Sequence, residues 1–318
     1  MGSLHEPPLF AALGSAERVL VAGAGGGFDV YAGLPLALTL GRLGKEVHLA
    51  NLSFSALDLI DLDAWHTPGL ATIGPATSGH DGYFPERTLA RWLDAKGLDP
   101  TVHAFPRTGV RPLRAAYEAL VRLLDIDAVV LVDGGTDIVM RGDEAGLGTP
   151  EEDVTSLTAV AGLDLPVRLV VCAGFGIDAY HGVCHAHVLE NLAALDRDGA
   201  YLGALSIPRD SEEAALYLDA VEHARLHTAA RPSIVNGQIA AALRGEFGDA
   251  RFTERTRGSE LFVNPLMSMY FTVELAALAR RLLYRTGLET TDTAMEVRAV
   301  IASFRAGVTP RERRAIPH

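Results

Sequence analysis

Four carboxylates and five glycines crowd one stretch of this 318-residue chain, Leu131 to Pro150, LVDGGTDIVMRGDEAGLGTP. Asp133 and Asp137 open it, Asp143 and Glu144 follow, and Gly134, Gly135, Gly142, Gly146 and Gly148 lie between and after them. Carboxylates placed this way can accept a proton, grip a ligand's hydroxyl pair or bind a hard cation through oxygen. The glycines let the backbone come close to whatever is held. Asp133 closes a buried apolar run, so it is the carboxylate best fixed in place. With Asp137 it is the candidate general base or diol ligand. Asp143 and Glu144 stand farther out and are expected to be freer and more solvated. A metal, if held, would draw on Asp133, Asp137, Asp143 and Glu144, and Mg²⁺ or Ca²⁺ suits such oxygen ligands. The same residues would also suit a solvated acidic turn.

Two further glycine loops follow strand-like runs. In Gly23 to Asp29 (GAGGGFD) the amides of Gly25, Gly26 and Gly27 could cradle an anion at a helix start. Asp29 either caps that helix or faces the crevice. The dinucleotide fingerprint is not matched, because Phe28 stands where glycine or alanine is needed. The next strand ends LANLSF, with no acid for a ribose diol, so NAD is not implied. In Cys172 to His181 (CAGFGIDAYH), Gly174, Gly176 and Asp178 are candidate ligand contacts. His181 and His185 are the candidate acids, and with Cys184 they are spaced to share one helix face. The glutamate of H-E-x-x-H is absent, which favours packing or acid–base work over zinc. Cys172 and Cys184 are candidate nucleophiles, although buried cysteines are usually inert. No G-x-S-x-G nucleophile elbow occurs.

The elements that must position these loops read as alternating strands and helices. Strands are expected at Arg18 to Ala24, Glu46 to Ala50, Thr101 to Phe105, Asp127 to Val132, Val167 to Cys172 and Ala200 to Ile207. Helices are expected at Val30 to Leu43, Pro85 to Lys96, Arg111 to Leu124, Glu151 to Val160, Val183 to Leu195 and Ser211 to Leu226. The rhythm predicts an α/β fold: a doubly wound, mostly parallel Rossmann-like sheet with helical C-terminal additions. The glycine loops then share the carboxyl edge of the sheet. Residues 1–17 read as an N-terminal arm, 18–306 as one α/β domain, and 307–318 as a tail expected to fray. Within the domain, 232–306 read as the helical additions. Leu266 to Tyr284 is apolar nearly all round. It predicts a buried helix, through which a homo-oligomer could form.

Composition narrows the classes of function. Apolar residues are 48% and charged residues 21%, as in an ordinary globular protein. Lys plus Arg is 28 against 40 Asp plus Glu, a net charge of −12, which argues against nucleic acid and against an anionic membrane surface. Lys45 and Lys96 are the only lysines and neither lies in a phosphate loop. Two cysteines, no charged leader and no unbroken apolar span lead to the expectation of a cytoplasmic protein.

The runs GAGGGFDVYAGLPLALTLGRLGKEVHLANLSF, DGGTDIVMRGDEAGLGTPEED, GFGIDAYHGVCHAHVLENLAAL and RTRGSELFVNPLMSMY together resemble a bacterial and archaeal family known as domain of unknown function eleven-fifty-two. The resemblance spans Arg18 to Phe304 and implies a Rossmann-like α/β fold. It implies no activity and assigns no catalytic residue. From the residues themselves, the expectation is an enzyme of small-molecule metabolism, a transferase or hydrolase. It would bind a nucleotide-like, polyhydroxylated or anionic small-molecule ligand at the carboxyl edge of the sheet. A divalent cation is a candidate cofactor. A metal-assisted N-glycoside hydrolase of nucleoside type is one alternative, although its acidic cluster would be expected at the first strand. A ligand sensor or partner-binding subunit without turnover is another.

Overall fold

Short runs rich in valine, leucine and alanine, closed by glycine, become strands here because a sheet covered on both faces favours continuous apolar segments. The computed structural model describes residues 5–228, 230–258 and 261–315. Its strands are β1 (Arg18–Gly23), β2 (Glu46–Ser53), β3 (Trp65–Thr67), β4 (Leu70–Ile73), β5 (Val102–Pro106), β6 (Ala128–Asp133), β7 (Val167–Cys172), β8 (Tyr201–Ser206) and β9 (Met269–Glu274). The helices of the first half are α1 (Pro8–Ala12), α2 (Asp29–Ala32), α3 (Leu34–Arg42), α4 (Pro85–Ala95), α5 (Val110–Leu124) and α6 (Pro150–Ala161). Those of the second half are α7 (His185–Arg197), α8 (Glu212–His227), α9 (Ile234–Leu243), α10 (Leu275–Arg281), α11 (Arg285–Leu288) and α12 (Ala294–Gly307).

All nine strands form one sheet in the order β3-β4-β5-β2-β1-β6-β7-β9-β8. The five strands from β5 to β7 are parallel neighbours. Strands β4 and β9 run against their neighbours, so every strand but these two points the same way. The chain steps from β1 outward to β2 and β5, then returns to lay β6 and β7 on the other side of β1. That reversal falls between β1 and β6. The loops after β1 and β6 leave the carboxyl ends of the sheet on either side of that point. Side chains of β6 alternate between two apolar layers, Val129 and Leu131 in one, Val130 and Val132 in the other. Among the described residues no helix is long and apolar enough to cross a membrane.

Several expectations are corrected. Leu266 to Tyr284 is not one helix: Met269–Glu274 is a strand lying between β7 and β8, followed by the short α10. Tyr270, Phe271, Thr272 and Val273 are aromatic or β-branched and buried on both faces, so the apolar run belongs to a sheet interior. The middle of the segment, Met269–Glu274, is built into the sheet between β7 and β8. Val30 to Leu43 divides at Gly33, because Pro35 has no N–H for the Tyr31 carbonyl. The irregular region after β2 contains the hairpin strands β3 and β4, turned by Pro68 and Gly69. Leu9 and Leu13, in the stretch read as an arm, are fully buried. Within the described residues the tail, expected to fray over Thr309 to Arg314, is docked. The Arg311 N–H donates to the Asp143 carbonyl at 2.7 Å, and the Glu312 carbonyl meets His187 Nε2 at 3.0 Å.

An acidic candidate site at the carboxyl edge of the sheet

The strands end in residues that cannot avoid one another. Gly23 pairs with Val132 and Asp133 with Cys172, so the loops after β1, β6 and β7 leave the sheet side by side. Backbone bonds continue the pairing outward, from Ala24 N–H to the Val132 carbonyl and from Ala173 N–H to the Asp133 carbonyl. Five aspartates gather above these ends: Asp29 after β1, Asp133 and Asp137 at and after β6, Asp153 in the first turn of α6, and Asp178 after β7. All but Asp29 are buried, and Asp29 keeps some contact with solvent.

Glycine makes the crowding feasible. A Cβ on Gly25 would lie 2.6 Å from Asp153 Oδ1 and 2.7 Å from Asp29 Oδ2. One on Gly135 would strike both oxygens of Asp178, and one on Gly148 would strike Asp137. Gly174, at φ +61°, brings its Cα under the Gly134 carbonyl, where a side chain would collide at 2.3 Å.

Backbone N–H groups aim most of these carboxylates. Gly25 N–H donates to Asp29 Oδ2 at 2.7 Å. Gly135 and Ile138 donate to the two oxygens of Asp133 at 2.8 and 3.2 Å. Thr136 N–H donates to Asp178 at 2.7 Å, and Thr149 gives Asp137 its N–H at 2.7 Å and its hydroxyl at 3.3 Å. Asp153 is the exception, and its Oδ1 is buried without a hydrogen-bond partner. One carboxylate oxygen each from Asp29, Asp133 and Asp153 lie within 4.8 Å of one another, close enough to share a cation. No ion pair among the described residues reaches any of the five.

Burial and mutual repulsion therefore dominate the electrostatics. Burial pushes the Asp29 carboxyl up to about 7, with the charges of Asp137 and Glu152 adding and the Gly25 and Gly134 N–H groups opposing. Asp133 is pushed well above the usual carboxylate range, first by burial and then by Asp137, Asp29 and Asp178. Asp153 and Asp178 are raised for the same reasons. Asp137 is raised by burial, against the bonds from Thr149 and the nearby His181.

Not every residue singled out from the sequence joins this group. Asp143 and Glu144, expected to be solvated and grouped as ligands with Asp133 and Asp137, are clamped elsewhere by arginine. Arg141 grips Asp143 through two bonds, at 2.8 and 2.6 Å, and holds its carboxyl below the usual range. Glu144 is fully buried and accepts from Arg141 N, Gly142 N, Asn191 Nδ2 and Arg311 Nη2. Together they staple the loop to the C-terminal tail. His181 and His185 do not share a helix face. Gly182, at φ +91°, ends the 3₁₀ turn of Ile177–His181, and α7 starts afresh at His185. His181 is exposed beside Asp137, whereas His185 packs on Phe175 next to Gly176, and burial lowers its pKa. Gly26, at φ +93°, faces the Phe54 ring, and Gly27, at φ +64°, faces the Tyr83 hydroxyl and the same ring. The Gly25 amide serves Asp29 rather than remaining free for an anion.

Asp153 was legible only as a helix-opening acid. The available signal was Ser156, its neighbour one turn on, a second polar residue on the face that packs inward, donating to the Ala24 carbonyl at 2.8 Å. Glu86 was also missed. It is fully buried, and with Asn51, whose Nδ2 reaches the Gly27 carbonyl and Glu86, it braces the first glycine loop. Around the group, Phe54 is partly exposed and carries Arg107 over its ring at 5.1 Å, and Arg107 pairs with Glu152 at 2.6 Å.

The family model described as Protein of unknown function (DUF1152) matches residues 83–308, most of the chain, and the chain belongs to that family. The matched span holds Asp133, Asp137, Asp153 and Asp178 and begins beyond Asp29. Comparison with curated proteins gave no match.

Proposed function

We propose that this member of the family is a small-molecule enzyme, hydrolytic or group-transferring, acting on a polyhydroxylated ligand such as a sugar or nucleoside. The crevice between β1 and β6 is its active site. The observation that carries this reading is the meeting of five aspartates from the ends of β1, β6 and β7 and the first turn of α6, with no ion pair to any of them among the described residues. A scaffold gains nothing from such repulsion, whereas perturbed carboxylates in a cleft are what acid–base and binding sites need. The strand order from β5 to β7, reversing at β1, supports a doubly wound, Rossmann-like description, and ligands of such sheets bind at that reversal.

The residues divide by position. Asp29, Asp133 and Asp153 face the ligand's hydroxyls, which donate to carboxylate oxygens. His181 is exposed beside Asp137, and imidazole suits a proton carrier near neutral pH. In hydrolysis it would take the proton of the attacking water as the oxygen bonds to the ligand, then return it to the leaving group. An anionic group is not expected against the aspartates themselves, so a phosphate would lie outward, toward Arg107.

A second reading, metal-assisted N-glycoside hydrolysis, is favoured by Asp29. The loop of the first strand contributes to the acidic group, which the sequence had placed at the fourth strand alone. A panel of nucleosides, nucleotides, sugars and sugar phosphates tests both readings by thermal shift followed by product analysis. A hit that is cleaved or transferred supports an enzyme, and release of a free base from a nucleoside supports the second reading. Binding without turnover supports a sensor, and absence of any hit counts against the site.

A further inference from the structure

We propose that Asp29, Asp133 and Asp153 form a binding site for one hard divalent cation, Ca²⁺ or Mg²⁺, at the reversal between β1 and β6. Three observations carry it independently of turnover. Each residue places a carboxylate oxygen within 4.8 Å of the other two. Oxygens on a shared cation stand about 2.1 Å from Mg²⁺ or about 2.4 Å from Ca²⁺, so opposite ligands are separated by roughly 4 to 5 Å. A span of no more than 4.8 Å falls within the ligand shell of one such ion. The set is oxygen only, which selects hard cations over zinc or copper.

The second observation is Asp153. The residue is 2% exposed, and its buried Oδ1 has no hydrogen-bond partner, although buried polar atoms nearly always find one. It points toward Gly25, the one position in the loop where a side chain would collide with both it and Asp29. The third is the support behind the other two ligands. Gly25 N–H holds Asp29, and Gly135 and Ile138 N–H hold Asp133, so both carboxylates are oriented from behind, as outer-shell bonds orient metal ligands. Asp137 and Asp178 are each turned to a threonine and bear on the site as nearby negative charge.

The test uses the full chain stripped with EDTA and passed through a desalting column. Mn²⁺, which also takes oxygen ligands, is titrated and its free signal followed by electron paramagnetic resonance. Ca²⁺ and Mg²⁺ are titrated against the unfolding temperature. The expected result is one tight Mn²⁺ per chain, displaced by Ca²⁺ or Mg²⁺, and a rise in unfolding temperature of roughly 4 °C at a hundredfold excess over Kd. Asp153→Asn is expected to lose that Mn²⁺ site and the temperature rise, whereas Asp143→Asn keeps both. No Mn²⁺ bound by the parent overturns the proposal, and so does Mn²⁺ bound equally by Asp153→Asn. If Asp153→Asn does not fold, Asp29→Asn serves in its place, and the parent titration alone can refute the site. Failure of the substrate panel leaves these results unaffected, so the two readings fall separately.

Discussion

Asp133 and Glu144 lie eleven positions apart in one acidic loop, and their surroundings give them opposite consequences. Asp133 stands among like charges, so Asp133→Asn removes repulsion and keeps the shape, and this relief offsets the loss of one of its two backbone N–H bonds. Glu144 is held by Arg311 and Asn191 and by two backbone N–H groups, so Glu144→Gln takes the charge out of that set of hydrogen bonds, while Arg311 keeps Asp143 and Glu190. Hydrogen bonds to a charged group are worth about 1.5 to 3 kcal/mol. We therefore expect urea unfolding to show Glu144→Gln weakened by about that amount and Asp133→Asn changed by less than about 1 kcal/mol. The reverse ranking would mean that Asp133 belongs to the scaffold. From sequence alone Glu144 looked the freer residue, because its partner Arg311 is 167 positions away and distance along the chain hides the pairing.

At the scale of elements, the strands of the parallel core were legible because each is a short apolar run closed by glycine or followed by a helical period. Strand β8 was legible in the same way at Ala200 to Ile207, whereas β9, β3 and β4 were not, for identifiable reasons. Strand β9 is apolar on both faces, which a buried helix would also be, and only its aromatic and β-branched content separates the two. Strands β3 and β4 have three and four residues, too few for a pattern, and the turn at Pro68 and Gly69 was their only mark. Those edge strands carry a testable titration. His103 on β5 is buried, and its Nδ1 meets the Thr72 hydroxyl on β4, which also meets His66 Nε2 on β3. Burial lowers the His103 pKa to about 4, with His48 and His66 adding and Asp99 opposing. The unfolded chain takes up that proton near 6.5 and the folded chain only near 4. This contribution to stability is therefore complete above 6.5 and is lost as pH falls toward 4, by roughly 3 kcal/mol. Chemical denaturation at pH 4 to 7 is expected to show that slope in the parent and a shallower one in His103→Gln. Equal slopes would remove His103 from the account.

The whole molecule places its chemistry where its winding reverses. That the three glycine-bearing loops share one edge followed from the alternation of strands and helices, since parallel strands put their following loops on one side. Which carboxylates meet there did not follow. Asp153 enters because α6 sets its first turn over β6, and Asp143 leaves because the C-terminal tail returns with Arg311 to claim it. Both depend on packing between elements distant in sequence. The central claim is that the aspartates at the reversal hold a hydroxyl-bearing ligand. Calorimetric titration of the strongest ligand from the panel into the parent and into Asp133→Asn tests it most directly. Loss of a charged hydrogen-bond acceptor is worth about 1.5 to 3 kcal/mol, so the account predicts an affinity weaker by roughly 10- to 100-fold in the variant, with folding intact. Equal affinity in the two proteins would contradict it.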